Sequence, residues 1–117
     1  MKLRTLILVI LFIAVLSGCT SKPLPPDKKD YIGEWTSEHV YLQITADGFV
    51  HYRYQKGTMS KEINAPLKHF EGDDFVVGVG FLTTTFEVSE PPNQDGLNWE
   101  MVVDSIELVR KNNHIQL

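Results

Sequence analysis

One cysteine dominates the chemistry that this sequence offers. Cys19 is the only cysteine among the 117 residues. It follows a basic head at residues 1–4, an unbroken apolar run at residues 6–16, and the small residues Ser17 and Gly18. This order is typical of a secretory signal. The apolar run is too short to cross a bilayer, which needs ~20 apolar residues.

The motif Leu16-Ser17-Gly18-Cys19 resembles the lipobox of bacterial lipoproteins. The resemblance implies that residues 1–18 are a signal peptide and that the Cys19 sulfur receives a diacylglyceryl group, with further acylation of the new amino group. Two or more acyl chains hold a protein stably on a membrane. Residue 20 is Thr, whereas an Asp in this position of lipoproteins favours retention in the inner membrane. The resemblance therefore implies the outer membrane, with the domain facing the periplasm. A soluble signal peptide is the alternative, although Ser17-Gly18-Cys19 is a poor Ala-x-Ala-like site.

Length and charge restrict the partners of the remaining chain. The 99 residues after the predicted signal peptide suffice for one small domain. Lys2 and Arg4 leave with the signal, so nine basic residues remain of 11, against 15 acidic ones, a formal charge of −6. Such a balance disfavours nucleic acid and anionic lipid surfaces as partners. No second cysteine is available for a disulfide, so apolar burial must stabilise the fold.

Residues 19–30 are predicted to form a flexible tether behind the lipidated cysteine. Three prolines and several charges in this stretch are typical of a linker. An extended chain of this length reaches on the order of 30 Å, which would let the domain stand off the membrane. Lys22, Lys28 and Lys29 are interpreted as solvated residues of this tether, with contact to lipid headgroups as the alternative.

From residue 31 onward the hydrophobic pattern has a period of two. Val40, Leu42 and Ile44 alternate with Tyr41, Gln43 and Thr45, and similar alternation recurs over 75–88 and 97–103. Residues 49–56 are rich in aromatic and β-forming side chains, and residues 106–110 follow a turn at Asp104-Ser105. Turn signals separate these runs, including a predicted loop at 91–96; residues 59–71 are ambiguous because Pro66 interrupts them. We therefore expect an all-β, antiparallel meander barrel of about eight short strands over residues 31–110, with a frayed tail at 111–117.

The first predicted strand opens with Gly33-Glu34-Trp35. A Gly-x-Trp motif in this position resembles the opening of lipocalins and related calycin barrels. In that family the Trp closes one barrel end and packs against an Arg from the last strand, a role that falls here to Arg110. The resemblance implies barrel closure by Gly33, Trp35 and Arg110. It does not carry a ligand over, because the chain is much shorter than a lipocalin and lacks a Thr-Asp-Tyr motif.

No residue set in the predicted domain has the spacing of a catalytic or metal site. The four histidines show no i, i+2 or i+4 pairing and are interpreted as surface or rim residues: His39, His51, His69 and His114. Acidic residues fall in turns, where Asp is favoured for its own backbone hydrogen bonds. We expect no catalytic residues, no metal and no cofactor.

The aromatic residues on two neighbouring strands form a possible binding face. This face comprises Tyr41, His51, Tyr52 and Tyr54, and it would dock a protein or a glycan; ordinary cross-strand packing is the alternative. The glycines within residues 75–81 indicate either a bend in a closing barrel or a slot for an acyl chain.

These features favour a non-enzymatic, lipid-anchored protein of the bacterial envelope with a small binding domain and a possible envelope protein partner. One alternative is a lipocalin-like carrier of a small hydrophobic ligand. We disfavour it because large side chains should fill so small a barrel, namely Trp35, Phe75, Phe81, Phe86 and Trp99. A second alternative is an inhibitor or accessory partner of an envelope enzyme.

Overall fold

A computed structural model describes residues 21–111, and this part of the chain is nearly all β-strand. A 3-10 helix at Pro26–Tyr31 precedes the strands. The strands are β1 (Gly33–Thr36), β2 (Val40–Ile44), β3 (Phe49–Lys56), β4 (Met59–Glu71), β5 (Asp74–Val79), β6 (Leu82–Phe86), β7 (Val88–Asp95), β8 (Asn98–Val103) and β9 (Ile106–Arg110). The predicted all-β fold is confirmed. The predicted signal peptide, Cys19 and residues 112–117 of the predicted tail lie outside the described residues.

The nine strands form one antiparallel sheet in the order β6-β5-β4-β3-β2-β1-β9-β8-β7. The sheet curls into a half-barrel. Neighbours in the chain are neighbours in the sheet except for β6 and β7, and β1 pairs with β9 through Trp35 and Arg110. The 13-residue β4 pairs with β3 along its first part and with β5 along its second, with a shift of register between Leu67 and His69.

The two outermost strands belong to one stretch of chain. Only Glu87 separates β6 from β7, and β6 pairs with β5 whereas β7 pairs with β8. Two aspartates hold this junction: Asp74 Oδ1 accepts the Val88 N–H at 2.7 Å, and Asp104 Oδ1 accepts the Glu87 N–H at 2.9 Å. Both margins of the curled sheet therefore converge on residue 87. Counted as one bent strand, β6 and β7 bring the meander to eight strands.

Large apolar side chains fill the inside of the curl. The largest fully buried ones are Trp35, Leu42, Ile44, Val50, Phe75, Val77, Phe86, Met101 and Leu108. Phe86 stacks on Phe75, with ring centroids 5.0 Å apart, and also lies 5.0 Å from the ring of Tyr52. Each buried side chain of this size contributes about 1.5–3 kcal/mol relative to exposure. Val40, Leu42 and Ile44 are buried and alternate with half-buried residues, as the sequence pattern predicts.

Two local predictions are wrong. Phe81 does not fill the interior: it lies in the turn between β5 and β6 and is 92% exposed. The predicted interior face ends earlier, because the chain reverses at Gly80 and Phe81. Residues 91–96 are not a loop, since β7 continues to Asp95. Proline is tolerated there because β7 lies at the sheet margin, where its register against β8 shifts twice.

The segment before β1 packs on the sheet, whereas the sequence predicts a flexible tether up to residue 30. Leu24 is only 7% exposed and belongs to the core cluster. The Lys22 carbonyl lies so close to Gly48 that a side chain at position 48 would collide with it. Tyr31, which ends the 3-10 helix, is buried and donates a hydrogen bond to the Asp73 carbonyl at 2.8 Å. Prolines suit this extended segment because they do not require ladder hydrogen bonds.

Candidate functional site

The predicted closure residues lie together where β1 meets β9. Trp35 is fully buried, and its indole N–H donates to the Tyr31 carbonyl at 2.9 Å. The Arg110 guanidinium carbon lies 5.7 Å from the Trp35 ring centroid and 4.7 Å from that of Trp99. Arg110 therefore bridges two indole rings, within the ~6 Å range of cation–π attraction. The participation of Trp99 does not follow from the Gly-x-Trp pattern.

Gly33 leaves the space that this arrangement needs. Its φ is +142°, and a Cβ added there would lie 2.8 Å from Arg110 Cδ and 3.2 Å from Cγ. The aliphatic stem of Arg110 thus crosses directly over the Gly33 backbone before its guanidinium reaches the indoles. Gly33 and Trp35 therefore both contact Arg110: the glycine leaves room for its aliphatic stem, and the tryptophan ring lies against its guanidinium.

The outer surface of β1–β3 carries a connected set of polar and aromatic side chains. Tyr41 donates its hydroxyl proton to Glu34 Oε1 at 2.9 Å, and the Arg53 guanidinium carbon lies 5.5 Å from the Tyr41 ring centroid. Tyr41 and Arg53 are directly opposite each other across β2 and β3. Two shallow grooves, of about 330 and 210 Å³, flank this pair, and both residues line both grooves.

A second group extends the same surface onto β4. His51 Nδ1 lies 2.9 Å from Asn64 Oδ1, and Asn64 Nδ2 donates to Glu62 Oε2 at 3.3 Å. His51 pairs with Asn64 and Arg53 with Glu62 across β3 and β4. We call the outer side chains Glu34, Tyr41, His51, Arg53, Glu62 and Asn64 the outer polar face. Of these six residues, only Tyr41 and His51 were among those predicted for the binding face.

The other two tyrosines of the predicted binding face point inward. Tyr52 is 8% exposed and contacts Phe86, and Tyr54 packs against the core and lies 6.4 Å from the His39 ring. Side chains on a strand alternate between its two faces, so residues 52 and 54 of β3 cannot share a face with residues 51 and 53. The structure therefore brings Tyr41 and His51 together and separates them from Tyr52 and Tyr54.

Electrostatic effects at the tyrosines follow from burial and from nearby carboxylates. Burial raises the pKa of the Tyr41 hydroxyl, as do its hydrogen bond to Glu34 and the charge of that carboxylate, while Arg53 lowers it. Burial also raises the pKa of Tyr31 to about 12, with smaller contributions from Asp73 and Asp74. Tyr41 and Tyr31 are thus protonated donors at neutral pH.

The described histidines have separate neighbours. His39 Nδ1 lies 3.1 Å from the Gln55 carbonyl oxygen, and His69 Nε2 lies 3.1 Å from Glu71 Oε2. Within residues 21–111 no three His, Cys, Asp or Glu side chains are grouped as a metal site requires. His114 lies outside the described residues, as does Cys19.

Exposed large apolar side chains concentrate at three hairpin turns. They are Met59 after Gly57-Thr58, Val79, Phe81 and Leu82 around Gly80, and Leu97 after Gly96. Gly78, just before Val79, is buried and pairs with Thr83, and the backbone of Leu82 and Thr83 occupies the space beside it. The sequence left two uses open for the glycines, a bend or a slot for an acyl chain. Protein backbone fills the space beside Gly78, whereas Gly80 lies in the turn and the space beside it is open.

No helix within residues 21–111 is long and apolar enough to cross a membrane. Comparisons with protein-family models, with curated proteins and with solved structures find no match to this chain.

Proposed function

We propose that this chain is a non-enzymatic lipoprotein of the bacterial envelope, anchored through Cys19 in the outer membrane and facing the periplasm. The observation that carries the proposal is the motif Leu16-Ser17-Gly18-Cys19 behind a basic head and a short apolar run. The role of the domain in this proposal is to bind an envelope protein with its outer polar face.

The packing of the interior supports a binding domain rather than a carrier of hydrophobic ligands. Trp35, Phe75 and Phe86 are each at most 1% exposed and occupy the centre of the curl. A barrel of eight strands has an interior that side chains can just fill. The partner is therefore expected on the outside of the sheet.

The chemistry of the outer polar face supports a protein as the partner. Tyr and Arg are enriched at the energetic centres of protein interfaces, because each offers a large contact area with a polar end. Tyr41 is positioned by its hydrogen bond to Glu34, and the Arg53 guanidinium lies over the Tyr41 ring, so the Tyr41 side chain loses little entropy on binding. Glu62 and Asn64 supply acceptors and donors around them.

The anchor is tested by metabolic labelling with radioactive palmitate. The wild-type chain should incorporate the label, and Cys19→Ala should not, because the sulfur is the site of diacylglyceryl transfer. Thr20→Ala is the matched control and should retain the label. Equal labelling of the wild type and Cys19→Ala would reject the proposal.

The outer polar face is tested by photo-crosslinking in cells. A photoreactive amino acid at exposed Asn64 should give a discrete protein adduct, and one at exposed Thr85 on β6 should not. Arg53→Ala in the Asn64-labelled chain should abolish that adduct by removing the cation over Tyr41. An adduct that Arg53→Ala leaves unchanged would exclude this face as the docking surface.

A further inference from the structure

A cleft of about 600 Å³ lies between the segment that precedes the 3-10 helix and the second half of β4. It is the largest of the surface depressions described above. One side is formed by residues 22–28 and the other by residues 67–72. Neither the outer polar face nor the closure residues contribute to it.

The cleft is cationic within an acidic domain. Residues 21–111 contain nine basic and 15 acidic side chains, a net charge of −6, yet Lys22, Lys28 and Lys68 line the cleft with Asp27 as the one lining carboxylate. The net charge of the residues that line the cleft is therefore opposite in sign to that of the domain as a whole.

Two of these ammonium groups are positioned by neutral backbone oxygens. Lys28 Nζ donates to the Gly72 carbonyl at 2.9 Å, and Lys68 Nζ donates to the Gly80 carbonyl at 2.5 Å. An ammonium has three N–H donors, so each retains donors for a ligand. Lys28 also forms an ion pair with the Asp73 carboxylate at 3.9 Å, so Lys68 is the better placed of the two to meet an anion.

The wall of the cleft is apolar. Leu24 and Leu67 are both buried core residues, and Phe70 packs edge-on against Tyr31 with centroids 5.0 Å apart. Lys28 lies over the Phe70 ring at 5.2 Å. Cations at the rim above an apolar wall match a molecule with an anionic group joined to hydrocarbon.

The cleft is close to the residue that we propose carries the lipid. Lys22 is three residues after Cys19, and three residues span at most ~11 Å. Because Lys22 and Leu24 are packed against the sheet, the chain between the cleft and Cys19 is short. If the proposed function is right, the cleft lies at the membrane surface.

We propose that this cleft binds the phosphodiester headgroup of an anionic glycerophospholipid from the leaflet that holds Cys19. Lys22 and Lys68 donate hydrogen bonds to the phosphate oxygens, and Leu24 and Leu67 contact the glycerol and the first methylenes. Overall negative charge keeps the rest of the domain off an anionic surface, so the contact orients the domain on the membrane.

The test is a titration of dihexanoyl phosphatidylglycerol, as monomeric lipid, into the ¹⁵N-labelled secreted chain carrying Cys19→Ala behind a cleavable signal peptide. Backbone amide shifts at residues 22–28 and 67–72 should change and saturate. Dihexanoyl phosphatidylcholine should bind at least about tenfold more weakly. Lys22→Gln with Lys68→Gln should raise the Kd by tenfold or more, because the change removes both charged donors of the proposed hydrogen bonds to the phosphate.

The matched control is Lys56→Gln with Lys61→Gln, which removes the same charge near the turn between β3 and β4. Lys56 is eight residues along β3 from Gly48, roughly 26 Å at 3.3 Å per residue. This variant should leave the Kd within twofold. An equal loss of affinity in both double variants, or shifts that avoid the cleft, would overturn the proposal, provided that thermal unfolding shows every variant folded.

A further arm separates the lipid from a soluble anion. Glycerol 3-phosphate should not displace the lipid at equal concentration, because it lacks the hydrocarbon that contacts Leu24 and Leu67. Displacement by glycerol 3-phosphate would assign the cleft to a free phosphate compound instead. The titrated chain carries no acyl group, so failure of this test is independent of palmitate labelling at Cys19.

Discussion

At the scale of single residues, the position of the Arg110 side chain requires a glycine at position 33. The Arg110 stem passes over the Gly33 backbone, where any side chain would meet Cδ at 2.8 Å. The guanidinium then contacts Trp35 and Trp99, and the stem adds apolar contact of its own. Because the two residues are 77 positions apart, the contact joins the first and last strands of the sheet.

A double-mutant cycle on Trp35→Phe and Arg110→Lys should show coupling of about 0.5–2 kcal/mol in the free energy of unfolding. Lysine keeps the charge but loses the planar stacking of the guanidinium. Urea unfolding of the four proteins measures it. As a control, Trp35→Phe with Arg53→Lys should be additive within about 0.5 kcal/mol, since Arg53 stacks on Tyr41 instead. Additivity in the first cycle would mean that the contact between Arg110 and Trp35 contributes nothing to stability.

The substitution Tyr31→Phe should reduce the decrease in the free energy of unfolding that occurs at high pH. The Tyr31 pKa is raised from 10.0 to about 12 in the folded chain. A raised folded-state pKa contributes stability that is complete below the unfolded value, so this contribution declines as the pH rises from about 10 towards 12. The variant also loses the hydrogen bond to the Asp73 carbonyl, about 1 kcal/mol at neutral pH.

Urea midpoints of the wild type and Tyr31→Phe, measured across this pH range, check the expectation. The difference between the two proteins should shrink as the pH rises, because only the wild type has the Tyr31 phenol with its raised pKa. Tyr41 and Tyr52 also have raised pKa values, but they titrate in both proteins and cancel in the comparison. Parallel curves would show that the Tyr31 phenol ionises alike in the folded and unfolded chains.

At the scale of elements, the segment before β1 belongs to the folded domain. Its composition is that of a linker, and that composition accounts for the prediction of a tether. The packing depends on Leu24, one apolar residue among prolines and charges, and on a groove that exists only once β3 and β4 have paired. No hydrophobic periodicity in the segment indicates that it packs in such a groove.

Leu24→Ala should lower the free energy of unfolding by about 2 kcal/mol, at the lower end of the range for buried leucines. Leu97→Ala is the matched control, because Leu97 is 90% exposed and surface changes stay within about 0.5 kcal/mol. Chemical denaturation measures both. Equal stability of Leu24→Ala and Leu97→Ala would show that Leu24 does not stabilise the fold, and the segment would then be the free tether that the sequence predicts.

The outer polar face was predictable in part from the β3–β4 hairpin. A two-residue turn at Gly57-Thr58 pairs residues at equal distances on either side, which places His51 opposite Asn64 and Arg53 opposite Glu62. The period-two alternation likewise separates Tyr52 and Tyr54 from His51. The pairing of Tyr41 with Arg53 depends on the longer turn between β2 and β3, whose register composition alone does not determine.

At the scale of the whole molecule, local alternation predicts the strands and their meander order. Their closure depends on single side chains. Asp74 and Asp104 hold the junction between β6 and β7 through hydrogen bonds across 14 and 17 residues, whereas turn aspartates usually bond to their own backbone. The continuous run across Glu87 therefore forms one long, bent strand. The sequence pattern indicates the alternation in this run but not the bend.

A filled interior leads to the last prediction, which concerns hydrophobic ligands. Fluorescent fatty-acid probes titrated into the unacylated chain should show no saturable micromolar binding, because Trp35, Phe75 and Phe86 occupy the centre. Phe81 and Leu82 are exposed and can hold a probe at the surface, so the same titration is run on Phe81→Ser with Leu82→Ser. Weak signal that disappears in this variant is surface adsorption. Saturable micromolar binding that survives the two serines would place the ligand inside the curl and establish the carrier as the better hypothesis.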